Sequence, residues 1–260
     1  MKRSERGGRS ISIAIDGDFG GQVVIGDRNT QIQRPPHAAR SDRKIKVLFL
    51  AANPDFTSPL LLGEEVRRIE AEVRASEWRD AVEFISKWAV QPDDLQQALL
   101  EHRPQILHFS GHGSREGDLL LEPGMEAEAL PPVWRGQDRD VMVAGSRTAP
   151  VSLSVLVGLI RTLKDNLRVI VLNACFSESQ AEALAESVEG AIGMRAEIED
   201  RAALIFSAAF YRAIGYGRSL QDAFDLGINA MQLARLRADA TPRLFTRAGV
   251  DASKIILVGP

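Results

Sequence analysis

Cysteine is almost absent from this chain of 260 residues. Its single thiol, Cys175, excludes an intrachain disulfide and any zinc centre built on several thiolates, but not a reactive thiol. Long apolar runs are missing as well. No stretch approaches the roughly 18 residues of a membrane span, and the start MKRSERGGRS leads into a short alternating segment, not into the apolar core of a signal peptide. A cytoplasmic, membrane-free location is therefore expected. An excess of charge of one sign is also lacking, since 32 Lys and Arg face 35 Asp and Glu, so nucleic acid and anionic membranes are not general partners. The four histidines lack ligand spacing and no glycine loop runs into Lys-Ser/Thr, so no metal, nucleotide or organic cofactor is implied. Apolar residues at 45% and charged residues at 26% sit near globular averages.

The charge that is present is unevenly placed. Residues 1–44 hold nine Lys/Arg against five Asp/Glu, leaving 23 against 30 for residues 45–260. Residues 34–44, with Pro35-Pro36 and no apolar period, read as a linker between an N-terminal segment, 1–33, and a domain spanning 45–260. In that domain apolar strand-like runs alternate with amphipathic helical patterns. Strands are expected at Ile45–Ala51, Ala81–Val90, Gln105–Phe109, Arg168–Leu172, Gly190–Met194 and Lys254–Val258. Helices are expected at Leu62–Arg74, Pro92–His102, Ser152–Lys164, Ser177–Ser187, Glu199–Ile214 and Ser219–Arg237. Such alternation predicts an α/β fold with a mainly parallel sheet covered by helices on both faces. Ligand sites of such sheets lie beyond the carboxyl ends of the strands.

Two strand ends carry reactive residue types. The strand ending at Phe109 runs into Ser110-Gly111-His112-Gly113, and the one ending at Leu172 into Asn173-Ala174-Cys175-Phe176-Ser177. A histidine between glycines stands where backbone can approach closely. A cysteine just ahead of a helix has its thiolate favoured by the helix dipole and by any nearby imidazolium. A lone cysteine otherwise reads as a small buried hydrophobe, but here its place at a strand end argues for chemistry. His108, inside its strand, reads as a core or sheet-end histidine, and nothing around His37 or His102 suggests a reaction.

His108-Phe109-Ser110-Gly111-His112-Gly113 together with Val171-Leu172-Asn173-Ala174-Cys175 resembles the CHAT branch of the caspase-like cysteine peptidases, across about residues 45–258. Gly193-Met194, Asp200, Ala202-Ala203, Phe206, Phe210-Tyr211, Gly217-Arg218-Ser219 and Ala223 extend the match. The resemblance implies a caspase-like three-layer sandwich, with His112 as general base, Cys175 as nucleophile, and the backbone N–H groups of Gly113 and Cys175 as the oxyanion hole. Its substrates would be proteins. In this clan the residue two before the cysteine often lines the first specificity pocket, and here it is Asn173, which is neutral. Asp200 and Asp55 are candidates for adding negative charge there, with a helix N-terminal carboxylate and a turn former as the alternatives. A calcium requirement, known in some caspase-like relatives, is left open.

The N-terminal segment is too short for a core of its own. Val23-Val24-Ile25-Gly26 followed by Asn29 resembles the RIP homotypic interaction motif and its bacterial amyloid-signalling relatives. β-Branched residues suit dry zippers and Asn29 suits an amide ladder, although Asp16, Asp18 and Asp27 would stack like charges in an in-register fibril. A hairpin laid on the main sheet, or a disordered tail, is the alternative. The resemblance implies self-assembly, an upstream sensor or adaptor with a matching motif, and an effector role in bacterial immunity or regulated cell death. A CHAT-like adaptor that acts only through assembly is the competing reading, and an intact His112 and Cys175 pair argues against it.

Overall fold

A continuous run of seven apolar-rich residues, β1 (Ile45–Ala51), forms the second strand of the main sheet. Ile45, Val47, Phe49 and Ala51 pack on one side of it, and Leu48 and Leu50 on the other. A strand buried on both faces has no polar face to show, hence its unbroken apolar run from Val47 to Ala51. The computed structural model describes residues 44–55, 57–124 and 148–259, so the expected recruitment segment and nearly all of the linker lie outside the described residues.

The other strands follow the same logic. They are β2 (Val82–Lys87), β3 (Ile106–Ser110), the short β4 (His112–Gly113), β5 (Leu119–Leu121) and β6 (Ala149–Val151), then β7 (Val169–Asn173), β8 (Gly190–Met194) and β9 (Pro242–Thr246). The main sheet has the order β2-β1-β3-β7-β8-β9, and every pairing is parallel except β8 with β9. On one face lie α1 (Leu62–Ala75), α5 (Asp200–Gly215) and α6 (Leu220–Leu233), with Phe49, Phe206, Phe210 and Tyr211 in their shared core. On the other lie α2 (Pro92–His102), α3 (Leu153–Leu163) and α4 (Glu178–Ala185). Each fully buried phenylalanine in the core under α1, α5 and α6 contributes roughly 1.5–3 kcal/mol by leaving water. The expected three-layer sandwich is the observed one.

Local signals explain the helix starts. Pro92 opens α2, and the Gln91 N–H donates to the Asp94 carboxylate at 2.9 Å. Ser219 caps α6 by accepting from Asp222 N at 3.1 Å. In α1 the buried residues Leu62, Val66, Ile69 and Val73 recur at helical spacing beneath an exposed charged face.

One expected strand is corrected. Lys254–Val258 is not a strand: Ala252–Lys254 is a turn of 3₁₀ helix, and Ile256 makes a single bridge to Ser219. Ile255, Leu257 and Val258 spend their hydrophobicity on the core between α1, α5 and α6, which an apolar run by itself cannot distinguish from a strand. The last strand is instead β9, antiparallel at the sheet edge, where Pro242 is tolerated as first residue because it has no N–H to offer a ladder. The stretch after His112 also builds a small antiparallel sheet, β4-β5-β6, that the sequence did not announce.

Candidate active site

The site stands where β3 and β7, adjacent and parallel, run out side by side, with Ser110 and Asn173 in register as their last residues. Beyond β3 the chain turns through Gly111 to place His112 in β4, and beyond β7 it passes Ala174 to reach Cys175. The two exits touch. A Cβ on Gly113 would fall inside the Cys175 carbonyl oxygen and lie 3.1 Å from that carbonyl carbon and 3.3 Å from the Cys175 nitrogen. A Cβ on Gly111 would meet the Ala52 carbonyl oxygen at 2.7 Å and the Phe109 ring at 2.8 Å. Glycine is therefore required at both positions by close approach, and this approach brings the backbone beside the histidine against the backbone of the cysteine.

Cys175 is a free, half-buried thiol. The next residue, Phe176, holds a left-handed conformation with φ of 58°, which for a non-glycine residue costs about 1–3 kcal/mol and turns the chain sharply from β7 into α4. Ser177 holds this elbow. Its hydroxyl lies 2.7 Å from the Ala174 carbonyl and 3.0 Å from that of Leu172, and it accepts from Met194 N at 3.0 Å, so β7, β8 and the start of α4 are fastened together. Among the described residues, no backbone or side-chain acceptor takes the Cys175 N–H.

His112 Nε2 lies 2.9 Å from the Ser58 carbonyl oxygen and 3.2 Å from Asn53 Oδ1. A carbonyl only accepts, so the ring proton sits on Nε2 and leaves Nδ1 with a free lone pair. The imidazole is thus held in one tautomer by the loop between β1 and α1.

Beneath the site lies a buried polar network centred on Glu65 of α1, which is only 4% exposed. Its carboxylate accepts from Ser110 Oγ at 2.6 Å, Ser207 Oγ at 2.7 Å and Asn173 Nδ2 at 2.8 Å. Burial pushes this carboxyl up, yet His108 and the Ser110 and Ser207 hydroxyls outweigh it and hold the group below the usual carboxylate range. His108, whose Nε2 lies 3.5 Å from the carboxylate, is the largest of these lowering influences, ahead of the two hydroxyls. His108 also stacks on Phe49 and meets the Tyr211 hydroxyl at 3.0 Å through Nδ1. Burial first, and the Glu65 charge second, raise that phenol well above its ordinary value, so it stays protonated.

A cavity of about 490 Å³ joins these parts. His112, Gly113 and Cys175 line it, as do Asn173, Asp200, Glu65 and Glu197, with Arg115 at its mouth 3.8 Å from Glu197. Asn173 is buried, its amide nitrogen donating to Glu65 and its Oδ1 without a hydrogen-bond partner among the described residues. Asp200 is the first residue of α5, half-buried at the cavity wall. Asp55 is exposed and lies outside the lining, so the structure does not bring it to the pocket. Val23, Val24, Ile25, Gly26 and Asn29 lie outside the described residues. Sequence reasoning missed Glu65, Asn53, Ser58 and Ser177. Only Glu65 left a signal, a charge falling on the buried stripe of α1 one residue before Val66. Among the described residues no cluster of three or more potential ligands could hold a metal ion, and no helix is long and apolar enough to cross a membrane.

Residues 22–232 match the family model described as CHAT domain, a match that begins ahead of β1. The chain is 25% identical over 197 residues to a protein of Gillisia limnaea named "Probable protease", covering 74% of this chain and 31% of that one. It is 23% identical over 206 residues to a "Roc-COR-CHAT protease" from an unknown prokaryotic organism, covering 76% of this chain and 18% of the relative. The chain thus spans less than a third of the length of either relative. Among solved structures it resembles the Arg-specific cysteine proteinase gingipain R, with a TM-score of 0.50 and 11% identity over 82% of this chain and 50% of that one. That likeness is one of fold, and the fold is caspase-like.

Proposed function

This chain belongs to the CHAT domain family, and from that membership we propose that it is a caspase-like cysteine endopeptidase with Cys175 as nucleophile and His112 as general base. The observation that carries the reading is the convergence of both side chains on one cavity, with the imidazole already held through Nε2. His112 Nδ1 takes the thiol proton, and the thiolate adds to the scissile carbonyl carbon. The oxyanion that forms is met by the N–H groups of Gly113 and Cys175, whose backbones touch. The imidazolium then protonates the leaving amine as the C–N bond breaks, leaving a thioester. Water, deprotonated by the same imidazole, attacks the thioester, releasing the acid and restoring the thiol. The protease names of the two relatives support this chemistry.

The substrate is a protein, and the cavity favours a positively charged side chain at the cleavage position. Glu65, Glu197 and Asp200 outnumber Arg115, which is itself paired with Glu197. Asp200 supplies the accessible carboxylate, and Asn173 shapes the floor through its bond to Glu65. Activation comes from assembly: the Val23–Gly26 and Asn29 motif is templated by an upstream sensor carrying a matching segment, and clustering raises the effective concentration of the domains. The pathway is one of bacterial immunity or regulated cell death, in the cytoplasm.

The test compares new protein N-termini in cells expressing the wild-type chain and Cys175→Ala. Cleavage products confined to the wild type are expected. Products or toxicity that survive Cys175→Ala would mean that the chain is no cysteine peptidase.

A further inference from the structure

We propose that Asn53 and Glu122 act together as positioning residues for the His112 imidazole, a role that rests on the His112–Cys175 pairing proposed above. At the end of β1 the backbone leaves the ladder, and the Asn53 N–H would be left unpaired. Instead it donates to Glu122 Oε1 at 2.9 Å. Glu122 follows β5 and is itself anchored, its N–H donating to the Val90 carbonyl at 2.9 Å while Val90 N donates to the Ala51 carbonyl at 3.1 Å. These three bonds close a ring that joins the exit of β1, the segment after β2 and the exit of β5. Asn53 is thereby fixed at its backbone, and its Oδ1 lies 3.2 Å from His112 Nε2.

The second acceptor of that N–H, the Ser58 carbonyl at 2.9 Å, belongs to the same loop. Thr57 closes a turn within it, its N–H donating to the Pro54 carbonyl at 3.2 Å and its hydroxyl to the same oxygen at 2.5 Å. Both acceptors of the imidazole thus hang from a loop that Glu122 holds near its start, at Asn53. When His112 takes the thiol proton, two carbonyl oxygens receive the N–H of the imidazolium, and a charge-assisted bond of this kind is stronger than its neutral counterpart. Loss of Asn53 removes one of these oxygens, and loss of Glu122 frees the backbone that presents it. Among the described residues, the other charged groups facing the cavity are Glu65 from α1, Arg115 beyond β4, Glu197 between β8 and α5, and Asp200 at the start of α5. None is altered in the variants below.

Because Cys175 is the only cysteine, alkylation of the intact chain by iodoacetamide reads that thiol alone, without any need for a substrate. The rate is followed against pH in the wild type, His112→Ala, Asn53→Ala, Asn53→Asp, Glu122→Ala and Glu122→Gln, with peptide hydrolysis alongside. His112→Ala should move the pH profile of alkylation toward that of an isolated thiol, because Cys175 then has no imidazole beside it. Asn53→Ala and Glu122→Ala should move it part of that way, and lower kcat about ten- to a hundredfold with KM little changed, as when an imidazole loses its outer partner. Glu122→Gln keeps an acceptor for Asn53 N–H and should recover most of the rate. Asn53→Asp keeps the acceptor, adds negative charge, and should extend the alkaline limb upward. If either Ala variant fails to fold by circular dichroism, Asn53→Asp and Glu122→Gln decide, and wild-type limbs in Asn53→Asp overturn the proposal. A His112→Ala profile equal to the wild type overturns the dyad and this proposal with it. A shifted His112→Ala profile beside unshifted Asn53 and Glu122 variants overturns the positioning role alone.

Discussion

Gly113→Ala tests the central contact of the site. The Gly113 backbone conformation lies in the ordinary region, so alanine meets no strain of its own there. Its methyl group, however, would fall inside the Cys175 carbonyl oxygen, and 3.4 Å is where ordinary contact begins. The neighbour is backbone, which cannot swing aside as a flexible side chain would, so the exits of β3 and β7 must separate by about an ångström, and a misplacement of that size costs about a hundredfold in rate. Overpacking of this kind also costs typically about 1–3 kcal/mol of stability. The assay is kcat/KM on a fluorogenic peptide, set beside the melting temperature and the rate of Cys175 alkylation. We expect a hundredfold fall in kcat/KM with the protein still folded at 25 °C. A Gly113→Ala enzyme within twofold of wild type would refute the claim that this contact sets the distance between base and nucleophile.

His112→Ala and Cys175→Ala should each abolish hydrolysis, and the double variant should lose no more than either, because members of one catalytic unit do not add; additive losses in single-turnover kinetics would argue against a shared mechanism. Glu65 titrates below its unfolded value, so it contributes stability that is complete above the usual carboxylate range and is lost as pH falls through the lowered folded value; denaturant titrations from pH 7 downward should show that loss in the wild type and a flatter profile in Glu65→Gln. Asp200→Asn should reduce kcat/KM for peptides with a basic residue at the cleavage position far more than for neutral ones, and an equal effect on both would reassign Asp200 to the N-terminus of α5. Replacing Val24 and Ile25 by Asp should abolish assembly measured by sedimentation, since carboxylates would stack at roughly 4.8 Å intervals in a zipper, while peptide hydrolysis by a forcibly dimerised form persists.

The residues alone determined the layering. Strands such as β1 and β8 and the helix α2 were legible to their ends, because burial on both faces writes a near-continuous apolar run and Pro92 marks a helix start. The two candidate catalytic residues were visible for a related reason: both fall directly after strands, and the end of a parallel strand is where such sheets bind ligands. Tertiary structure alone decided the rest. Whether an apolar run becomes a strand or packs against a helix depends on its neighbour, which is why Lys254–Val258 packs and Pro242–Thr246 pairs. The support of the site is longer in range still. Glu65 meets Ser110, Asn173 and Ser207 across 45, 108 and 142 residues, and His112 meets Asn53 across 59. No local pattern encodes such pairs, because a hydrogen bond needs only that two groups arrive within 3 Å, and that is settled by the packing of α1 and α5 on the sheet.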